Sequence, residues 1–187
     1  MRFIVGEISA SEMIPIRLLI SISIISMISF FVVNGVILSN HIHNEGCFEK
    51  TLKQIGQNIE LLVMTGSPRN VMDGGSPGGT KQVHSLTIPS EISEISFGIN
   101  GDTDEVWFSK QKSSGLYYYS QQTGDNIIWI DDSCLFVKGV YSDDRWIPCW
   151  NNSIFSIHQK GKCMITFELI SVEDQLYVLV YDQNDVL

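Results

Sequence analysis

The feature that most constrains the fold is an uncharged run near the amino terminus. From Leu18 to Leu38 the sequence reads LLISISIISMISFFVVNGVIL. As a helix, about 21 residues extend roughly 31 Å, which matches the hydrocarbon core of a bilayer. Its serines are compatible with a bilayer, because a helical serine can bond the carbonyl one turn back. We therefore predict a transmembrane helix within residues 13–38, with residues 18–38 in contact with the lipid bilayer.

A cleaved secretory signal is the alternative explanation of this run. Such signals have an apolar region of roughly 7–15 residues that ends in small residues at the cleavage site. Here the run is longer, and its end offers no A-x-A pattern, so an uncleaved anchor fits better. Arg17 directly precedes the run, whereas Lys50 and Lys53 lie well beyond its other end. The positive-inside rule therefore favours a single-pass protein of the cell membrane with a cytoplasmic N-terminus and an extracellular C-terminal domain.

The remainder of the chain is acidic. The formal net charge is −9 over 187 residues, and no cluster of Lys or Arg follows residue 40. Binding to nucleic acid requires concentrated positive charge, so we expect no nucleic-acid partner. The same lack of positive charge argues against docking onto anionic lipid head groups.

Four cysteines follow the span, at Cys47, Cys134, Cys149 and Cys163. An even number in an extracellular domain suits two disulfides, and four cysteines allow three connectivities. Buried thiols that pack as small hydrophobic groups are the alternative. The absence of C-x-x-C spacing argues against a zinc site. Asn151-Asn152-Ser153 is an N-glycosylation motif, which also favours an extracellular location.

Residues 39–65 predict an amphipathic helix. Apolar residues recur there at steps of three and four, which defines one stripe. The stripe consists of Ile42, Phe48, Leu52, Ile55, Ile59, Leu62 and Val63. Gly46 costs only about 1 kcal/mol inside a helix, so we expect this helix to continue from the membrane span. Its stripe requires an apolar partner surface, and one face of a β-sheet is the expected partner.

Residues 66–80 predict a Gly/Ser/Pro-rich loop, and residues 81–187 predict a β domain. Apolar residues alternate with their neighbours over Ile95–Ile99 and Cys163–Leu169, a period typical of strands. Leu176–Tyr181 is apolar at every position, which predicts a strand buried on both faces. Turn residues between seven to nine such segments predict an antiparallel sheet or sandwich. The expected class is α+β, with a long N-terminal helix packed on that sheet.

A short leader, residues 1–12, precedes Met13-Ile14-Pro15 and the apolar run. This arrangement resembles archaeal type IV pilin-like proteins, and the later stretch around Thr166–Leu169 and Tyr177–Tyr181 is similar to membrane-anchored envelope proteins of methanogenic archaea. The resemblance implies cleavage of the leader, a helix that anchors the subunit and later forms a filament core, and a β-rich head. It also implies that Glu12 pairs with the amino terminus of a neighbouring subunit after cleavage at Gly6 or Ala10.

The sequence departs from the pilin pattern at its amino terminus. The leader lacks basic residues just before the implied cleavage site, and Pro15 and Arg17 lie in the segment that would enter the filament core. An arginine without a partner is costly in an apolar environment.

No catalytic set is recognisable, so we expect that the protein is not an enzyme and has no cofactor or metal. The histidines (His41, His43, His84 and His158) do not form a metal-ligand pattern, and no G-x-S-x-G motif occurs. Asn100–Glu105 alternates oxygen-bearing side chains, but it lacks the glycine and glutamate of an EF-hand loop. Calcium binding by Asp102 and Asp104 is therefore an alternative to a solvated turn.

Two functions fit these features. The first is a structural or interaction protein, as a pilin-like subunit or minor filament component that self-assembles or contacts other envelope proteins. The second is a tethered module whose β domain binds an envelope glycan or protein. The second is suggested by aromatic residues that stack on sugars when exposed, namely Trp107, Trp129, Trp146, Trp150 and Tyr117-Tyr118-Tyr119.

Overall fold

A computed structural model describes residues 8–98, 115–129, 135–150 and 154–183. The class is α+β, as expected. The helix is α1 (Ile8–Thr65), and the strands are β1 (Arg69–Asn70), β2 (Lys81–Ile88), β3 (Ile92–Phe97), β4 (Gly115–Ser120), β5 (Gly124–Trp129), β6 (Leu135–Ser142), β7 (Arg145–Pro148), β8 (Phe155–Ile157), β9 (Gly161–Val172) and β10 (Gln175–Asp182). The chain divides into two compact units, Met1–His43 and Asn44–Leu187.

Helix α1 is continuous through the apolar run and the amphipathic segment. It begins at Ile8, inside the segment predicted as a leader, and Pro15 lies within it. The part from Pro15 onward is long and apolar enough to cross a membrane. Polar side chains in this part bond to the helix itself: Ser21 Oγ donates to the carbonyl of Arg17 and Asn34 Nδ2 to that of Phe30, both at 2.9 Å.

The C-terminal part of α1 belongs to the second unit, and its apolar stripe is buried there. Six of the seven predicted stripe residues, from Phe48 to Val63, join the main hydrophobic core. Ile42 is exposed instead, so its inclusion in the stripe was wrong; it precedes the second unit, where the core lies. The ring of Phe48 packs edge-on against Tyr118 of β4 at 5.8 Å, which joins the helix to a sheet as expected.

Strand β9 is the centre of a six-stranded sheet, ordered β1-β9-β10-β6-β7, with β2 also paired to β9. The prediction of an antiparallel sheet is wrong at two pairs, because β1 runs parallel to β9 and β6 runs parallel to β10. The first exception has a geometric reason. Strands β1 and β2 lie along the same edge of β9, and the loop between them reverses the chain, so they pair with β9 in opposite directions.

The second sheet has four strands, ordered β5-β4-β3-β8, and all of its pairs are antiparallel. Its apolar residues share one core with α1 and the six-stranded sheet. Phe97 of β3 contacts Phe167 of β9 with ring centres 5.2 Å apart, and it contacts Phe136 of β6 at 5.7 Å. The core of the second unit is therefore formed by both sheets and the helix together.

Two hairpins close with two-residue turns. Asp143-Asp144 joins β6 to β7 with φ angles of 52° and 60°, and Glu173-Asp174 joins β9 to β10 with 48° and 65°. Positive φ at both central residues matches the strand twist, although it is unfavourable for residues other than Gly, Asn and Asp. Gly124 also has positive φ, at 82°, as its place in the β4–β5 turn predicts.

The helix stripe gives a matched stability test. Leu52 is 0% exposed and Leu61, on the same helix, is 54% exposed. We expect Leu52→Ala to lower the free energy of unfolding by about 2–5 kcal/mol because it leaves a cavity in the core. Leu61→Ala should change it by less than about 0.5 kcal/mol. Denaturant unfolding of the full chain in detergent measures both, and equal losses would contradict the assigned packing.

Candidate functional site

The six-stranded sheet has a second face, opposite the main core. On β9, Ile165, Phe167 and Leu169 enter the main core, so the residues that alternate with them lie on the second face. This face carries a small apolar cluster of its own, formed by Val137, Ile170, Leu179 and Tyr181. Strand β10 is thus buried on both faces, as its uninterrupted apolar sequence predicted, and the second face has room for polar groups beside the cluster.

Glu168, on the second face, is a buried carboxylate with only 1% of its surface exposed. Its Oε1 accepts hydrogen bonds from Arg69 Nε at 2.7 Å and from the backbone N–H of Gly79 at 3.3 Å. Its Oε2 lies 3.5 Å from Lys81 Nζ. A buried charge is tolerated only when it is paired and hydrogen-bonded, and these three donors meet that requirement.

Arg69 connects this carboxylate to β7. The residue is 8% exposed, and its Nη2 donates to the backbone carbonyl of Trp146 at 2.8 Å. Its Nε is used by Glu168, and its Nη1 has no hydrogen-bond partner among the described residues. Arg69 is also one of the residues that line a cavity on the second face. Arg69 therefore has donor capacity left for a ligand in that cavity.

The loop between β1 and β2 forms one wall of the cavity and is held against β9. A Cβ atom added at Gly79 would lie 2.1 Å from the carbonyl oxygen of Leu169, so only glycine allows this close approach. Asp73 Oδ1 accepts the N–H of Gly75 at 2.9 Å, which orders the loop tip. Val71 packs against the apolar cluster of the second face.

Aromatic rings form another part of the cavity wall. Trp146 stacks on Tyr181 with ring centres 4.1 Å apart and planes 15° apart, and Tyr141 meets Trp146 at 5.4 Å. Gly139 leaves space for Tyr181, because a Cβ there would lie 3.1 Å from that side chain. Burial raises the pKa of Tyr181, and the nearby Glu168 carboxylate raises it further while Arg69 opposes the shift. The phenol is therefore neutral under physiological conditions.

The cavity between these walls has a volume of about 250 Å³. We call it the second-face pocket. Its lining includes three basic and three acidic side chains, two aromatic rings, a serine hydroxyl and two glycines. These residues are Arg69, Asp73, Gly74, Ser76, Gly78, Lys81, Tyr141, Asp144, Arg145, Trp146 and Glu168.

The predicted aromatic residues have different locations. Trp146 lines the second-face pocket, and Trp150 is half exposed against Tyr177 at 5.1 Å. Tyr118 is buried in the main core; burial raises its pKa to about 12, with further contributions from Glu49 and Glu45. The aromatic sequence signal therefore identified one pocket residue and several residues outside the pocket.

Several other predicted features lie outside the described residues: the Asn100–Glu105 turn with Asp102 and Asp104, the Asn151-Asn152-Ser153 motif, Cys134 and Trp107. Among the histidines, His84 is partly buried, and this burial lowers its pKa. No group of three or more His, Cys, Asp or Glu side chains with the arrangement of a metal site occurs in the described ranges.

Two of the cysteines contradict the expectation of two disulfides. Cys149 and Cys163 are free thiols. Cys163 lies in the main core, and burial raises its thiol pKa, with a smaller contribution from Asp182. Cys163 thus behaves as the small buried hydrophobic residue that was the alternative to a disulfide.

Arg69 and Glu168 were missed in the sequence. One signal was available, since Glu168 interrupts the apolar run Ile165–Ile170 in a strand that is otherwise buried. A charged residue in such a strand requires a partner. Nothing local identifies that partner, because Arg69 lies 99 residues earlier, within a stretch of sequence rich in Gly and Pro.

No protein-family model matches the chain, and no curated protein or solved structure is significantly similar to it. The chemistry of the second-face pocket is therefore the basis for assigning it a role. Its basic groups can bind a carboxylate, its acidic groups can accept hydrogen bonds from hydroxyls, and its aromatic rings offer an apolar surface.

The buried ion pair can be tested with a double-mutant cycle. We expect Glu168→Met to lower the free energy of unfolding by about 3–5 kcal/mol, because Arg69 is left buried without its carboxylate. Adding Arg69→Met should recover most of that loss, since a buried ion pair and an apolar pair of similar size are often of similar stability.

The exposed pair Lys53–Glu49, 2.6 Å apart, supplies the control. Lys53→Met should cost less than about 1 kcal/mol. Additive losses for the two substitutions at Arg69 and Glu168, measured by denaturant unfolding, would contradict a direct coupling between them.

Proposed function

We propose that this protein is a single-pass protein of the cell membrane that holds its β-containing unit outside the cell for interaction with other envelope components. The observation that carries this proposal is the surface of α1 between Ile16 and Leu38. Large apolar side chains are exposed all around this segment, each with roughly half or more of its surface accessible. Water does not favour such a contiguous apolar surface, whereas the bilayer interior does.

The proposed orientation rests on charge. Arg17 borders the amino-terminal end of the span, which favours retention of that end in the cytoplasm. Every lysine of the chain, from Lys50 to Lys162, follows the span and would therefore be extracellular. This distribution makes the orientation accessible to a direct chemical test.

Within this class we propose a pilin-like role, as a subunit or minor component of a filament. A continuous helix of 58 residues that first exposes and then buries its apolar side chains supports such a role. The first part suits anchorage and later helix–helix packing, and the second part is fixed to the β unit. Glu12 is the proposed partner of a neighbouring subunit's amino terminus.

A tethered binding module is the second candidate. The second-face pocket favours it, because a buried charged network holds loop and strand residues around a polar cavity. In this case α1 serves only as the anchor, and the β unit recognises an envelope glycan or protein. The two candidates share the membrane location and differ in whether the subunit assembles or binds a ligand.

Charges within the span should weaken membrane anchorage. We expect the double variant Ile24→Arg/Ile28→Arg to shift the protein from the carbonate-resistant membrane fraction toward the soluble or degraded fraction, because each arginine costs about 2.5–3.5 kcal/mol at the centre of a span. Met72→Arg, at an exposed position of the β unit, is the matched control and should remain in the membrane. Equal behaviour of both variants would contradict a membrane span.

Lysine labelling of intact cells tests the proposed orientation. A membrane-impermeant amine reagent should modify the lysine-containing peptides of this protein in intact cells, because Lys50 and all later lysines would be outside. Labelling that requires lysis would reverse the proposed orientation while leaving the span itself intact.

Processing distinguishes the filament role from a permanent anchor. If the pilin-like proposal is correct, mass spectrometry of the protein from native membranes should find a mature amino terminus between Glu7 and Ser11. Retention of Met1, or loss of Met1 alone, would exclude prepilin-type cleavage and leave the binding module as the proposed function.

A further inference from the structure

From the second-face pocket we infer that the β unit binds a single uronic acid residue at the end of a glycan. This inference deepens the second candidate function and rests on it. The ligand is defined by three kinds of chemistry in one cavity: a cationic floor, a rim of hydroxyl-binding groups and an aromatic wall.

The floor of the pocket has an excess of positive charge. Arg69 and Lys81 together face one carboxylate, that of Glu168. Arg69 Nη1 has no partner among the described residues, and Lys81 has about half of its side-chain surface exposed at 47%. A guanidinium whose Nη1 N–H groups are unpaired, beside an ammonium group, suits a ligand carboxylate, because hydrogen bonds between ionised groups are the strongest.

The rim of the pocket carries groups that bind hydroxyls. Asp73 uses Oδ1 for the backbone N–H of Gly75, which leaves Oδ2 to accept a ligand hydroxyl. The side chains of Asp144 and Arg145 form no hydrogen bond or ion pair with other described residues, and both residues line the pocket. A sugar ring offers neighbouring hydroxyls that donate to carboxylates and accept from a guanidinium.

The size and the aromatic wall of the pocket fit one pyranose ring. Its volume of about 250 Å³ is below the 300–1,000 Å³ typical of pockets for drug-sized ligands. Tyr141 and Trp146 give the ring an apolar surface for its C–H groups. The stacking of Trp146 on Tyr181 and the hydrogen bond from Arg69 to the Trp146 carbonyl fix this wall before ligand binding.

The charges of the rim select a terminal residue over a polyuronate. Asp73 and Asp144 would repel the carboxylates of neighbouring uronates in a polymer, and the chain as a whole has a net charge of −9. A single carboxylate at the floor is close to its cationic partners, while the remaining acidic residues beyond about 8–10 Å are screened by salt. An otherwise neutral glycan with one uronate end meets both conditions.

Calorimetric titration of the full chain in neutral-lipid nanodiscs tests the proposal, with methyl glucuronide and methyl glucoside as probes. We expect a Kd of about 1 mM for the glucuronide, the value for a ligand of about 14 non-hydrogen atoms at ordinary ligand efficiency. The glucoside, which lacks only the charge, should bind at least about tenfold more weakly. N-acetylaspartate amide serves as a carboxylate without a sugar ring and should show no binding.

Two pocket variants separate the two kinds of recognition. Lys81→Gln should weaken glucuronide binding about fivefold or more and weaken glucoside binding less, because the amide keeps a hydrogen-bond donor in the pocket but removes the positive charge that pairs with a ligand carboxylate. Tyr141→Ala should weaken both sugars by the same factor, because it removes the apolar wall. Lys162→Gln is the matched control: Lys162 is an exposed lysine on the same face of β9, about 20 Å along the strand from Glu168.

Several results of these titrations would contradict the proposed uronic acid ligand. Equal affinity for glucuronide and glucoside, equal loss in Lys81→Gln and Lys162→Gln, or no binding by either sugar would overturn the proposal. Binding of N-acetylaspartate amide as tight as that of the glucuronide would replace the sugar by a peptide carboxylate. None of these results bears on the membrane fractionation or sidedness, so failure of the sugar proposal is distinguishable from failure of the membrane proposal.

Discussion

Strand β9 has an apolar core on one face and a buried carboxylate on the other. The buried carboxylate, Glu168, is possible because it is paired with Arg69. One face of β9 is a wall of the main core, where any charge would be excluded. The other face buries a carboxylate, which is tolerated only because Arg69, Lys81 and the N–H of Gly79 surround it. The pair also fixes both ends of the β1–β2 loop. The position of that loop, and hence the pocket wall that it forms, depends on this one interaction.

Helix α1 contributes to both units, and its two parts differ in how their apolar side chains are distributed. Its first part has apolar side chains on every side, whereas its second part confines them to one stripe that reaches the sheets. No helix-breaking residue separates the two parts. Gly46 lies near their junction, but a side chain there would meet no neighbouring atoms, so the glycine costs only helix propensity. The change from an all-apolar to an amphipathic pattern therefore marks a change of surroundings along one helix and requires no change of backbone conformation.

The sequence predicted the features that depend on local pattern. The stripe from Phe48 to Val63 and the two-sided burial of β10 both follow from periodicity, and both are present. The parallel pairs β1–β9 and β6–β10 were not predicted, because strand direction is set by how the chain returns to the sheet over long distances. Period-two patterning is the same for a parallel and an antiparallel strand.

The residues that line the second-face pocket could not be predicted from the local sequence pattern either. Aromatic content suggested a stacking surface, but it could not distinguish Tyr118, buried in the core, from Tyr141 and Trp146, which line the cavity. Two glycines also shape the surroundings of the pocket, because a Cβ at Gly139 would crowd Tyr181 and a Cβ at Gly79 would meet the carbonyl oxygen of Leu169. These two glycines have no distinctive local signature.

The interactions around the second-face pocket also explain why so small a cavity can serve as a binding site. Ordering loops and side chains on binding reduces affinity, so a site for a single small ring needs walls that are already fixed. Here the buried ion pair holds the loop, the ring stack holds Trp146, and the Asp143-Asp144 turn positions Arg145 at the start of β7. The interactions that stabilise the second face are thus the same ones that prepare the pocket. The exposed side chains of the lining, Asp73, Lys81, Tyr141, Asp144 and Arg145, are left to adjust to a ligand.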